Sequence, residues 1–208
     1  MKIDKPKVKR ILVITLSNLG DIVLTTPVVQ CLIQEFPDAK MDVMVSPVGK
    51  GLFRDHLRIN SLIAYNKRST FLQKIALFVR LRKVGYDLVC DLRNTVLPLL
   101  IGARYITSPI RNSGDSAAHK KDTHLSRLSS MGIDISKADF YIPVSETSRI
   151  NAEKLLGITG KNRYVVLSPG AKSHVKRWPL KNFAGLADMI KKELGIETVL
   201  VGDSYDRV

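Results

Sequence analysis

Short aliphatic runs, each too short to be a helix and each followed by a stretch with helical spacing, constrain this chain more than any other feature. The runs are "ILVIT" (11–15), "MDVMV" (41–45), "SLIAY" (61–65), "YDLVCDL" (86–92) and the shorter "ARYIT" (103–107). Their near-continuous apolar character, rather than strict alternation, predicts strands buried on both faces, as in a parallel sheet. Between them, 21–35 reads as one helix that stops at "FPDAK", where Pro37 ends it. Residues 70–83 place Phe71, Ile75, Phe78 and Val79 at helical spacing, with Lys74, Arg82 and Lys83 on the other face. Strands alternating with helices predict an α/β fold with helices on both sides of the sheet.

Further on, 108–123 reads as a loop containing Pro109 and Gly114, and 124–132 as a helix ending at Gly132. The stretch "DFYIPVS" (139–145) reads as an extended linker, which divides the chain into a domain over 1–145 and a second unit over 146–208. After its opening linker helix, that unit runs strand (164–168), turn (169–178), helix (179–194) and strand (198–202). One βαβ element is too little to bury a core of its own, so the second domain is expected to be incomplete.

With 45% hydrophobic residues among 208, the chain has enough apolar surface for a packed core. Its formal net charge of +14 suits nucleic acid, an anionic membrane surface or phosphorylated substrates. Cys31 and Cys90 sit in apolar runs with no CxxC pairing, and the four histidines form no HExxH. Two buried thiols, no bilayer-length apolar run and no signal-peptide core make the chain read as cytoplasmic, with a basic N-terminus able to touch an anionic inner leaflet.

Two loops can carry chemistry. "LSNLGD" (16–21) falls after the first strand, where ligands of parallel α/β sheets bind. Gly20 permits a tight turn there, and Asp21 begins the next helix. Ser17, Asn18 or Asp21 can simply complement that helix N-terminus; alternatively Asp21 takes a proton from a substrate. Neither GxGxxG nor GxxxxGK[ST] is present, which removes the dinucleotide fingerprint and the P-loop. The second loop, "LSPGAKSHVKRWPLKNF" (167–183), follows another strand. Lys172, Ser173, His174, Lys176 and Arg177 make it basic, and Pro179 suits the first position of the helix after it. Backbone N–H groups and lysines in such a loop suit a diphosphate; an ordinary strand–helix connection with a solvated basic face explains it as well. Trp178 reads as a packing residue.

The two loops together resemble glycosyltransferase family 9, the ADP-heptose:lipopolysaccharide heptosyltransferases. The residues carrying the resemblance are Ser17-Asn18-Leu19-Gly20-Asp21 with Val23, Thr25 or Thr26, and Pro27; "PDA" (37–39); "YDLVCDLRN" (86–94); and Pro169-Gly170-Ala171 with Lys176-Arg177-Trp178-Pro179. It covers essentially the whole chain. It implies a GT-B fold, an N-terminal Rossmann-like domain binding the acceptor and the first βαβ unit of a C-terminal domain binding a nucleotide-sugar. By this resemblance Asp21 matches the catalytic base and Lys176 a lysine on the donor phosphates, with Gly170, Ala171 and Lys172 lining the donor pocket and Ser17, Asn18 and Gly20 forming the acceptor-side loop. Threonines of some members are here Ala171 and Lys172, and His119 lies near a family histidine. The acidic and glycine-rich donor segment of the family has no counterpart before Val208, so the chain is expected to be C-terminally truncated and inactive alone.

The implied reaction is inverting transfer of a heptose-like sugar from a nucleotide-diphosphate donor to a lipopolysaccharide core acceptor. Asp21 would act as base, and would work best if partial burial raised its proton affinity against the opposing pull of the helix N-terminus. No DxD pair occurs, so neither metal nor cofactor is expected. Arg93, Arg104, Arg111, Lys120 and Lys121 are candidates to face a polyanionic, lipid-linked acceptor at the inner membrane. The rivals are a same-fold transferase with another donor, a basic nucleic-acid-binding module, a Rossmann-like oxidoreductase and a non-catalytic remnant. The missing fingerprint weakens the oxidoreductase, and the lack of an RNP-like aromatic pattern weakens nucleic-acid binding.

Overall fold

A computed structural model describes residues 3–15, 17–66, 68–107, 119–157, 163–171 and 173–202, and divides the chain into Met1–Val144 and Ser145–Val208. In the first unit β1 (Arg10–Ile14) leads through α1 (Leu19–Val23) and α2 (Thr26–Glu35) to β2 (Lys40–Val45). A 3-10 turn (Pro47–Gly49) and α3 (Lys50–Phe53) precede β3 (Ile59–Ala64). Then come α4 (Phe71–Val84), β4 (Leu88–Asp91), α5 (Leu97–Ile101), β5 (Tyr105–Ile106) and α6 (Lys120–Ser129). All strand pairs are parallel and the order is β3-β2-β1-β4-β5, a doubly wound sheet whose order reverses between β1 and β4.

The expected strands form because they are buried on both faces. Ile11, Leu12, Val13 and Ile14 are each 0% exposed. Ile11 and Val13 pack with α2 and α6 residues such as Val28, Leu32 and Leu128, whereas Leu12 and Ile14 pack with Leu81 of α4 and Ile101 of α5. Burying so much aliphatic surface, at roughly 25 cal/mol per Å², is what holds the layers together. Asp87 and Asp91 of "YDLVCDL" have separate structural tasks. Asp87 accepts the N–H groups of Lys9 and Arg10 at 2.8 and 2.9 Å, fixing the entry to β1. Asp91 accepts from Arg93 N (2.8 Å), Thr95 N and Thr95 Oγ1 (both 2.6 Å), which curls the loop after β4.

Two helix expectations need correction. The single helix over 21–35 is two helices: Thr25 is the N-cap of α2, and Pro27 lies in the first turn of α2. Pro27 has no N–H to extend α1, and the Thr25 and Thr26 hydroxyls donate back to the carbonyls of Ile22 (2.6 Å) and Val23 (2.9 Å). The helix placed at 124–132 starts one turn earlier, at Lys120, because His119 caps it: its Nδ1 accepts from Lys121 N. Within the segment read as a loop, 108–118 and Arg111 lie outside the described residues.

The second unit contains α7 (Glu146–Leu156), β6 (Tyr164–Leu167), a 3-10 turn (His174–Lys176), α8 (Leu180–Leu194) and β7 (Glu197–Leu200), with β6 and β7 parallel. Ser145 caps α7 through its hydroxyl. Gly195 ends α8 at φ 63°, a left-handed cap that glycine adopts without penalty.

Candidate functional site

The residues that converge lie at the carboxyl ends of β1 and β4. Asp21 is in the first turn of α1, directly after β1. Its neighbour Asn18 is the N-cap of α1 but makes no side-chain cap; its amide donates instead to Asp21 Oδ2 at 3.0 Å. Lys120 Nζ donates to Asp21 Oδ1 at 2.9 Å, with a quarter of the Asp21 side chain and 65% of the lysine side chain exposed. Ser17 enters through its backbone carbonyl, which accepts from Ser46 Oγ at 2.9 Å. Gly20 is exposed, with open space where a Cβ would be.

Of the two opposing influences on Asp21, those that favour the ionised carboxylate prevail. The hydrogen bond from Lys120, then that from Asn18, holds the carboxyl below its ordinary value against the opposing effect of partial burial. Lys120, expected to face an acceptor, is engaged with Asp21 instead.

Helix α6 carries a stripe at Lys120, His124 and Arg127 that ties this site to the next strand. Arg127 Nη1 donates to the Asp91 carbonyl at the end of β4 at 2.8 Å. Between the two cations sits His124, 6% exposed, with no hydrogen-bond partner on either ring nitrogen. Burial, then the charges of Arg127 and Lys120, push its pKa down to about 4, with Asp21 pulling the other way. His124 is therefore neutral at pH 7, and its ring offers one donor and one acceptor. Sequence reading left it among scattered histidines. Its spacing of four residues from Lys120 on a helix was the signal that could have found it.

On the opposite side of the sheet, between β1, β2, α4 and the loop after β4, lies a cavity of about 220 Å³. Ile14, Met44, Leu77 and Phe78 make it apolar, while Lys74 and Arg93 add positive charge. The Arg93 guanidinium lies 4.8 Å from the Tyr65 ring centroid, a cation–π contact that fixes its direction. Two of the other basic candidates stand on aromatic rings as well: Arg104 over Tyr105 and Lys121 over Phe140. Among the described residues, no three His, Cys, Asp or Glu side chains cluster in a way that could hold a metal ion. Nor is any helix there long and apolar enough to cross a membrane.

In the second unit, Gly170 and Ala171 follow β6, and Arg177 Nε donates to the Ala171 carbonyl at 2.7 Å, closing the loop. Lys176 ends the 3-10 turn and is exposed; Lys172 lies outside the described residues. Pro179 is the N-cap of α8 rather than its first residue, and its carbonyl accepts from Asn182 N at 2.9 Å. The Trp178 ring meets Phe183 edge-on at 5.0 Å, a packing contact.

A doubly wound parallel sheet, followed along the chain by a βαβ unit, is the α/β architecture of GT-B glycosyltransferases. The sequence profile of glycosyltransferase family 9 (heptosyltransferase) matches residues 75–207, and the chain belongs to that family. It is 30% identical over 206 residues to lipopolysaccharide heptosyltransferase 3 of Escherichia coli, covering 87% of this chain and 60% of that protein. The strain K12 counterpart is 29% identical, with 90% and 61% covered. The chain thus spans about three-fifths of the curated relatives it matches. A solved family 9 glycosyltransferase from Veillonella parvula superposes with a TM-score of 0.82 at 25% identity, over 95% of this chain and 63% of that one. The E. coli ADP-heptose lps heptosyltransferase II gives 0.73 at 22% identity, over 95% and 65%, and so shares the fold.

Proposed function

We propose that the full-length protein transfers a heptose-type sugar from a nucleotide-diphosphate donor, by default ADP-heptose, to an anionic lipopolysaccharide core acceptor at the cytoplasmic face of the inner membrane. The observation that carries this reading is the Asp21 carboxylate, held by Asn18 and Lys120 at the strand-order reversal of a family 9 domain. The relatives' names supply the sugar and acceptor classes.

In this reading the acceptor hydroxyl attacks the anomeric carbon of the donor, its proton passes to Asp21, and the bond from that carbon to the diphosphate oxygen breaks with inversion. General-base help of this kind contributes on the order of a hundred- to ten-thousand-fold. Lys120, exposed on a long flexible stem, keeps Asp21 ionised and oriented until an anionic acceptor draws the lysine away, which restores proton affinity to the carboxylate. The cavity containing Arg93 and Lys74 takes a negatively charged part of the acceptor against its apolar floor. Lys176 and the loop closed by Arg177 stabilise the charge that develops on the leaving diphosphate, in place of a divalent ion.

The test is ADP release from ADP-heptose by the full-length enzyme with a lipopolysaccharide core acceptor. Asp21→Asn is expected to abolish turnover while leaving donor affinity unchanged. Turnover by Asp21→Asn close to wild type would remove Asp21 as base, and failure of every heptose donor alongside success with another nucleotide-sugar would change the donor class.

A further inference from the structure

We infer that the outer side of α4, together with α5, is an interfacial docking surface for an anionic phospholipid bilayer. Helix α4 buries one side through Leu77, Phe78, Leu81 and Val84 against the sheet. A surface helix with one side buried ordinarily presents polar residues on the other. Here the outer side carries Phe71 and Leu72, each 76% exposed, with Ile75 and Val79 also exposed. Beside it, α5 exposes Leu99 and Leu100, and Val96 just before it is exposed too. The two helices are joined where Arg82 Nη1 donates to the Leu100 carbonyl at 2.8 Å. Exposed apolar surface on this scale, contributed by two adjacent elements, marks an interaction site rather than ordinary solvent-facing residues.

Charge selects the occupant. From Arg58 to Tyr86 the sequence contains Arg58, Lys67, Arg68, Lys74, Arg80, Arg82 and Lys83 and no acidic residue, and no acidic residue occurs from Leu92 to Gly114 either. On the outer side of α4, Arg80 and Lys83 border an open groove with Ala76 and Val79, which places cations directly beside aliphatic side chains. A helix lying in the plane of a bilayer surface needs this combination: Phe and Leu to enter the acyl boundary, and basic side chains to meet phosphate headgroups. A protein partner of ordinary composition would require compensating acids for so uniformly basic a rim, whereas an anionic leaflet supplies them as a continuous surface. The inference stands apart from the transfer reading, because it needs neither Asp21 nor a sugar.

The test is co-sedimentation of the full-length protein with vesicles containing phosphatidylglycerol and with vesicles of phosphatidylcholine alone, both free of lipopolysaccharide and donor. Binding is expected to the first and not the second, weakening as salt rises. Phe71→Ser/Leu72→Ser is expected to lower the partition coefficient at least about tenfold. Arg80→Glu/Lys83→Glu is expected to lower it by roughly as much and to flatten the salt dependence. All four residues are exposed, so circular dichroism of both variants should match wild type. An independent reading uses Leu72→Trp in a Trp178→Phe background, whose fluorescence should be quenched by brominated acyl chains. Equal binding to both vesicle types, wild-type binding by either variant, or an unquenched tryptophan would overturn the inference. So would a dimer that Phe71→Ser/Leu72→Ser converts to monomers without any vesicle binding, which would assign the surface to a second copy of the chain.

Discussion

Gly49→Ala is expected to disturb the candidate site from behind, without touching any residue that contacts substrate. Gly49 closes the 3-10 turn after β2, and a Cβ placed on it would lie 2.4 Å from Ile22 Cδ1 and 2.6 Å from Val45 Cγ2. Carbon atoms pack comfortably at about 3.5–4.0 Å, so one side of the contact must retreat by about 1 Å. The end of Ile22 can swing, but Val45 is a β-branched residue locked in a buried strand, and Ile22 is itself 0% exposed. Overpacking of this kind costs about 1–3 kcal/mol, and a loss of that size lowers Tm by several degrees, roughly 5 °C. Ile22 is the residue after Asp21, so the strain falls on the turn that holds the carboxylate. A displacement of about 1 Å at a reacting group lowers kcat on the order of a hundredfold. Thermal melts and ADP-release kinetics of Gly49→Ala, set beside Gly51→Ala, measure both effects. An added Cβ at Gly51 meets nothing within 4 Å, and the site is helical, so alanine there should be neutral or stabilising by about 0.4–1 kcal/mol. Wild-type melting and turnover by Gly49→Ala, or an equal loss in Gly51→Ala, would refute the coupling between this turn and Asp21.

Other substitutions address the titrating groups. Lys120→Met removes the hydrogen bond that chiefly holds the Asp21 carboxyl below its ordinary value, so the acid limb of the kcat/KM profile should move to higher pH; an unmoved limb would disconnect the lysine from the base. His124 has a folded-state pKa of about 4 against an ordinary 6.5. The unfolded chain therefore binds the extra proton first, and stability should be full above about pH 6.5 and decline as pH falls toward 4. His124→Leu should flatten that decline in urea titrations run across the same window. The same variant should be neutral or stabilising at pH 7, because two partnerless buried nitrogens are removed, yet raise KM for the acceptor if the ring contacts it; loss of stability at pH 7 would show that the imidazole has a partner.

The strands were legible because a parallel sheet buries both faces, so "ILVIT" and "DLVCD" needed no tertiary information to be placed. The break before α2 was missed: Pro27 signals a first turn, but the apolar run across 22–33 masked it. Asp21 could be singled out from the loop after β1; its ion pair with Lys120 could not, because the two residues are 99 positions apart and meet only through the fold. The partnerless state of His124 and the exposure of α4 are likewise products of packing: "FLQKIALFV" has enough apolar residues to be buried all round, and only the sheet decides which side is covered.

The interruption between α1 and α2 gives Asp21 a mechanical setting of its own. Had the 21–35 segment been one rod, the carboxylate would be rigidly coupled to Val28, Val29 and Leu32, all wedged in the core. Instead it sits on a five-residue helix of its own, with the Thr25 and Thr26 back-bonds at its end and Lys120 paired with its carboxylate. Because α1 ends at Val23, a shift of the turn that carries Asp21 is not passed along a single helix axis to Val28, Val29 and Leu32, so the setting of the carboxylate and the packing of α2 become separate properties of the sequence.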